Sequence, residues 1–149
     1  ASDEYKRQDP KYLILDEPTA NFDPDFKQDF LNVIMQFMES GKKSVIIASH
    51  ILDELDRIAD YLIYLDKGEL VYSGDIESFR DKYRIISGES YKVKFLKQED
   101  IIHAEDRKYG TKALVVNHGY SKYDGALTVT VPTLEEFMYH YSKRGESVI

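Results

Sequence analysis

The sequence predicts an α/β fold built on a parallel sheet, followed by a small α+β module toward the C-terminal end. Three observations carry this. Two short continuous apolar runs, Tyr12 to Leu15 and Ser44 to Ala48, read as strands buried on both faces, as parallel strands are. The segments after them carry apolar residues at helical spacing, which gives the order strand, helix, strand, helix, strand. Near Ile85 the pattern turns alternating and turn-rich, so the chain divides into residues 1–84 and 85–149.

Residues Ala1 to Gln8 are polar and patternless and read as a loop or leader. The first strand, Tyr12 to Leu15, cannot run past Pro18, which lacks the N–H a ladder needs. Asp23 is placed to cap a helix with Pro24 at its first position and Asp25 in its first turn. Phe26, Phe30, Ile34, Phe37 and Met38 form its apolar face, and Gly41 is placed to end it. The second strand ends at Ser49-His50. A second helix with Ile51, Leu52, Leu55, Ile58 and Ala59 on one face follows it. Tyr61 to Leu65 and Glu69 to Tyr72 read as a hairpin joined at Lys67-Gly68. Asp75 can cap a short helix bearing Ile76, Phe79 and Tyr83. In the tail, Tyr91, Val93 and Phe95 alternate with lysines, the period of a half-exposed strand. Leu114 to Val116 and Leu127 to Val131 read as strands separated by turn signals at Asn117-His118-Gly119 and Asp124-Gly125. Thr133 with Glu136 makes a capping box opening a last helix, whose apolar side is Leu134, Phe137, Met138 and Tyr141.

Composition narrows the function classes. The 149 residues are 42% hydrophobic and 32% charged, a globular balance, with a formal net charge of -7. Lysines and arginines are scattered among carboxylates, so no nucleic-acid partner is expected. Without cysteine there is neither a disulfide framework nor a thiolate metal site. No apolar run approaches the roughly 20 residues that span a bilayer, so any membrane association must go through a partner.

The chemistry is concentrated in Leu13-Ile14-Leu15-Asp16-Glu17-Pro18-Thr19. A buried strand ending in two carboxylates sets both at the sheet's carboxyl edge, where ligands bind in open α/β folds. Phosphoryl transfer needs one carboxylate for magnesium and a second group to orient or deprotonate the nucleophile. Taken alone, Asp16-Glu17 is equally a surface turn after a strand, and His50 is equally a helix-capping residue after Ser49.

The wider arrangement resembles the ATP-binding-cassette (ABC) ATPase family. Leu15-Asp16-Glu17-Pro18-Thr19 is similar to that family's Walker B motif with its catalytic glutamate, and Ala20-Asn21-Phe22-Asp23 to its D-loop. Ser49-His50, ending the next strand, is similar to the switch histidine of the H-loop. The continuation through Asp53-Glu54-Leu55, Ala59-Asp60 and Asp66-Lys67-Gly68 to Gly74 also fits. The resemblance covers about Asp9 to Tyr83. It implies a partial P-loop NTPase sheet, with ATP and Mg2+ as cofactors. It also implies that Asp16 holds magnesium through a water, and that Glu17 acts as general base. By the same resemblance His50 contacts the γ-phosphate and links it to Glu17, and Asp23 lies in a D-loop facing a second ABC ATPase subunit across a dimer.

Two departures stand out. Asn21-Phe22 replaces the usual small residue and leucine of the D-loop, although Asp23 is kept. No Gly-x-x-x-x-Gly-Lys-Ser/Thr occurs, and the glutamine loop and signature motif are missing too. The resemblance therefore implies a C-terminal part of the ATPase domain that is inactive alone. In the family's sheet the phosphate-loop strand lies between the switch-histidine strand and the one matching Tyr61 to Leu65. Tyr12 to Leu15 is thus expected to pair in parallel with Ser44 to Ala48, leaving a one-strand gap before Tyr61.

The resemblance further implies an ATP-binding subunit of a bacterial ABC transporter, coupled to a membrane permease and held by it at the cytoplasmic face of the membrane. From Gly88 onward the tail resembles the extra module of drug- and peptide-export ATPases, through Pro132-Thr133-Leu134-Glu135-Glu136-Phe137. The alternatives are a non-enzymatic accessory module and a non-transport ABC ATPase. His103, His118 and His140 match no metal spacing and read as surface or turn residues. Tyr61, Tyr64, Tyr72, Tyr139 and Tyr141 read as rims of amphipathic elements.

Overall fold

The computed structural model describes residues 10–39, 41–52, 55–120 and 127–146. The leader at residues 1–8 and the Asp124-Gly125 turn lie outside the described residues. So do Asp53 and Glu54. The chain forms two compact units, Ala1–Ile58 and Ala59–Ile149. This division falls earlier than the change of pattern near Ile85, because the helix after the hairpin packs on both the hairpin and the strand that follows it.

In the first unit, strand β1 (Tyr12–Asp16) pairs in parallel with β2 (Ser44–Ala48), Tyr12 opposite Ser44 and Asp16 opposite Ala48. Helix α1 (Pro24–Met38) connects them. Asp23 caps α1, its Oδ1 accepting from the Phe26 N–H at 2.9 Å, and Pro24 takes the first position as its fixed φ favours. Leu31 and Ile34 of α1 are buried, while Phe26 is mostly exposed. The strands are not buried on both faces as their apolar runs imply: Tyr12 and Ile14 are each 74% exposed and Ile46 60%. These three share one face of the parallel pair, and α1 packs against β2. Apolar content on both faces predicted two covering layers, and the described residues supply one. The second helix is shorter than its pattern, α2 spanning Leu55–Ile58.

In the second unit, β3 (Tyr61–Asp66) and β4 (Glu69–Asp75) form an antiparallel hairpin. Lys67 and Gly68 both have positive φ, 50° and 83°, as a two-residue turn that follows the strand twist requires. Helix α3 (Ile76–Lys82) is capped by Asp75, whose Oδ1 accepts from the Ser78 N–H at 2.8 Å. The chain then enters a four-stranded antiparallel sheet of β5 (Tyr83–Gly88), β6 (Ile101–Arg107), β7 (Gly110–Val116) and β8 (Thr128–Thr130), ordered β6-β7-β5-β8. Helix α5 (Leu134–Ser142) packs on β6 and β7. The fold is thus mixed α/β, with one parallel pair and otherwise antiparallel sheets among the described residues.

Two elements of the tail differ from the sequence pattern. Tyr91 to Phe95 is not a strand: helix α4 spans Ser90–Val93 and a further turn follows. Val93 and Leu96, three apart, both reach the core, whereas Tyr91 and Phe95 are exposed, so helical spacing wins over alternation. Strands β5 and β6 carry no clear period. Tyr83 and Ile85 on β5 are buried and so is the adjacent Ile86, since both faces of this inner strand are covered. Tyr64, expected at a rim, is also buried, with ring centroids 5.4 Å from Phe137 and 5.8 Å from Tyr141.

The capping box at α5 is formed in full, Thr133 Oγ1 accepting from Glu136 N–H and Glu136 Oε2 from Thr133 N–H, each at 3.1 Å. Thr133→Ala removes the first bond and is expected to lower stability by about 1 kcal/mol. Urea unfolding at neutral pH checks this.

Candidate functional site

The site is built at the carboxyl edge of the β1–β2 pair, within the first unit. Because the strands are parallel and in register, Asp16 and Ala48 end together and the next residues of both chains emerge side by side. The Glu17 N–H donates to the Ala48 carbonyl at 2.7 Å, adding one more rung. Glu17 then turns into the left-handed region, φ 45°, which a residue with a β-carbon seldom adopts. Beyond it, Pro18 has no N–H to continue the ladder.

This sharp turn brings Glu17 to the end of β2. His50 Nδ1 lies 2.8 Å from Glu17 Oε1. An ionised carboxylate only accepts, so Nδ1 carries the proton and donates it, leaving Nε2 as the second functional atom of the ring. The Ser49 hydroxyl lies 3.3 Å from Glu17 Oε2. The hydrogen bond from His50, above all, holds the Glu17 carboxyl below the usual glutamate value, with burial opposing it. Glu17 is therefore a carboxylate at neutral pH. The pair is open to solvent, the His50 side chain 70% exposed and that of Glu17 39%. An ion pair so exposed adds little to stability, so its use lies in orientation.

Asp16 is exposed at the strand end on the face opposite Leu13 and Leu15, with no hydrogen bond or ion pair to its side chain among the described residues. Among those residues there is also no cluster of three or more His, Cys, Asp or Glu that could hold a metal alone. The single Asp16 carboxylate is an oxygen donor of the kind magnesium takes, one or two carboxylates commonly holding that ion together with substrate phosphates and water. Asp23, in contrast, is committed to capping α1. Phe22, which departs from the D-loop pattern, sets its ring edge-on to Phe26 and Phe30 at centroid distances of 4.7 and 5.9 Å. The aromatic ring thereby ties the loop to the first turns of α1. The structure thus brings Glu17 and His50 together, with Asp16 beside them in sequence, and places Asp23 in a structural hydrogen bond. Ser49 was missed as a site residue, although a hydroxyl next to a histidine at a strand end is a readable signal.

The remaining histidines are not surface or turn residues throughout. His103 on β6 and His140 on α5 are buried, their Nδ1 atoms 2.8 Å apart. Burial lowers the pKa of both, that of His140 to about 4 with the neighbouring His103 adding to the effect. His118 does lie in a turn, but its Nδ1 is 2.7 Å from the buried Asp100, which also accepts from the Tyr120 hydroxyl. Sequence spacing offers no sign of either pairing, since each joins residues from separate elements.

No helix among the described residues is long and apolar enough to cross a membrane. The chain matches no protein-family model. It is similar to an ABC transporter ATP-binding protein of Mycoplasma pneumoniae, 34% identical over 100 residues that cover 64% of this chain and 30% of that protein. It is also similar to the energy-coupling factor transporter ATP-binding protein EcfA2 of Caldanaerobacter subterraneus subsp. tengcongensis, 42% identical over 77 residues, covering 51% of this chain and 27% of the relative. The EcfA2 protein of Streptococcus pyogenes is 35% identical over 65 residues, 44% of this chain and 23% of its own length. The chain spans less than a third of each of these relatives.

Proposed function

We propose that the chain, which is similar to ABC transporter ATP-binding proteins, supplies the Walker B, D-loop and switch-histidine part of a transporter ATPase. The observation that carries the reading is the 2.8 Å contact between Glu17 and His50 at the carboxyl edge of a parallel strand pair. Glu17, ionised at neutral pH, accepts a hydrogen bond from the attacking water and draws its proton as the bond to phosphorus forms. His50 keeps one ring nitrogen on Glu17 and leaves Nε2 for an oxygen of the terminal phosphate. Asp16 would hold magnesium, which when bound neutralises phosphate charge. No Gly-x-x-x-x-Gly-Lys-Ser/Thr occurs in these 149 residues, so in this reading they do not themselves supply the loop of backbone amides that cradles phosphates.

In this reading residues 1–84 belong to the ATPase domain, whose candidate site lies in the first unit, and residues 85–149 form an accessory module. The working assembly contains a second ATPase subunit, faced by the loop at Asp23, and a membrane permease that holds the ATPase at the cytoplasmic face of the membrane. The test is to supply the phosphate-loop segment, reconstitute the domain and measure ATP hydrolysis with magnesium. Release of phosphate that depends on both parts supports the reading, and a folded, ATP-bound assembly with no turnover refutes it.

The 149-residue chain by itself is expected to bind ATP with a Kd on the order of millimolar or weaker, because most phosphate contacts in this enzyme class come from the missing loop and its lysine. Isothermal titration calorimetry at neutral pH with magnesium checks this. Micromolar binding would show that the loop is dispensable for affinity.

A further inference from the structure

The Glu17 carboxylate is held at both oxygens, and only one of its two partners belongs to the pair described above. Oε1 takes the bond from His50, and Oε2 faces the Ser49 hydroxyl at 3.3 Å. The Ser49 oxygen is itself fixed, accepting from the Ile51 N–H at 3.0 Å in a local turn. That hydroxyl has one proton and two acceptors in reach, Glu17 Oε2 and the Ile51 carbonyl, both at 3.3 Å. The carboxylate carries charge and is the stronger acceptor, so the proton goes preferentially to Glu17.

We propose that Ser49 is a positioning residue for Glu17: its backbone-anchored hydroxyl fixes the second carboxylate oxygen and so sets the plane in which Glu17 meets its water. A carboxylate held at Oε1 alone turns about its last side-chain bond, which is a soft torsion. Held at both oxygens it cannot, and His50 is freed from fixing that plane by itself. The need for such a clamp is local. Glu17 leaves β1 through a left-handed turn, and its side chain stands partly exposed. The inference rests on the reading of Glu17 as general base.

The test uses Ser49→Ala, which removes the hydroxyl, and Ser49→Thr, which restores it. In this chain, carbon-13 relaxation of the Glu17 side-chain carboxyl is measured at neutral pH while amide spectra report the fold. Loss of the hydroxyl is expected to increase the motion of that carboxyl about its last side-chain bond, and threonine to quench it again. In the reconstituted ATPase, Ser49→Ala is expected to lower kcat by about tenfold with KM unchanged, since orientation rather than binding is lost, and Ser49→Thr to recover within about twofold. Unchanged Glu17 carboxyl relaxation in a folded Ser49→Ala chain overturns the proposal, and so does a threonine variant that restores neither the relaxation nor kcat. If Ser49→Ala loses the native amide spectrum, Ser49→Cys replaces it, because a thiol accepts weakly from Ile51 yet donates poorly to Glu17. Should the wild-type assembly fail to hydrolyse ATP, the ATPase reading falls, and the carboxyl relaxation alone then decides whether Ser49 holds Glu17.

Discussion

Glu17→Gln is expected to lower turnover of the reconstituted ATPase by roughly 10²–10⁴-fold, the usual contribution of a positioned general base. ATP affinity is expected to stay within about twofold, because the amide has nearly the same shape. Its carbonyl oxygen can still accept the His50 Nδ1 proton, so the 2.8 Å contact persists while the charge that draws a proton from water is gone. His50→Ala is expected to cut turnover about tenfold or more by a different route, since it frees Oε1 of Glu17 and removes the atom left for phosphate. Steady-state phosphate release and equilibrium nucleotide binding, measured on the same preparations, separate the two effects. Wild-type turnover in either variant would remove that residue from the mechanism.

The second large effect is on stability in acid and lies in the C-terminal unit. His140 is buried with its pKa lowered to about 4, and His103 beside it is also lowered, both chiefly by burial. Their Nδ1 atoms share a single proton, one donating and the other accepting, so a second proton at that contact breaks the bond. Glu105 on β6 favours the charged form. Lys112 on β7 and Arg107 on β6 disfavour it at His140, as Lys143 after α5 does at His103, where Glu146 favours it. The folded pKa of His140 lies below its ordinary value of 6.5, so the unfolded chain takes up protons first as pH falls. The stabilisation is fully present above about pH 6.5 and is lost on the way down to about pH 4. The expected loss over that window is on the order of 2 kcal/mol, the order set by a shift of this size. Urea midpoints at pH 7, 5.5 and 4.5 measure it. The double variant His103→Leu, His140→Leu should show a shallower slope, and an unchanged slope would assign the acid loss to carboxylates.

Much of the fold was written in local chemistry. Asp23-Pro24, Asp75 and Thr133 with Glu136 mark helix starts because a cap needs only residues within one turn, and all three caps form as their spacing implies. Lys67-Gly68 fixes the hairpin for the same reason. Asp16 and Glu17 were legible together because they are adjacent at a strand end, whereas His50 was singled out only by the resemblance. Local pattern failed where partners come from afar. Tyr91 to Phe95 alternates like a strand, yet Val93 and Leu96 are drawn into the core together and the segment winds into a helix. The histidines at 103 and 140 looked like surface residues until β6 and α5 packed together. The sequence by itself determined which residues end the two parallel strands and which cap the helices. The tertiary structure alone decided that Glu17, turned back by a positive φ, meets His50 and Ser49, since hydrogen bonds between residues more than thirty positions apart exist only once parallel pairing has brought the strand ends together.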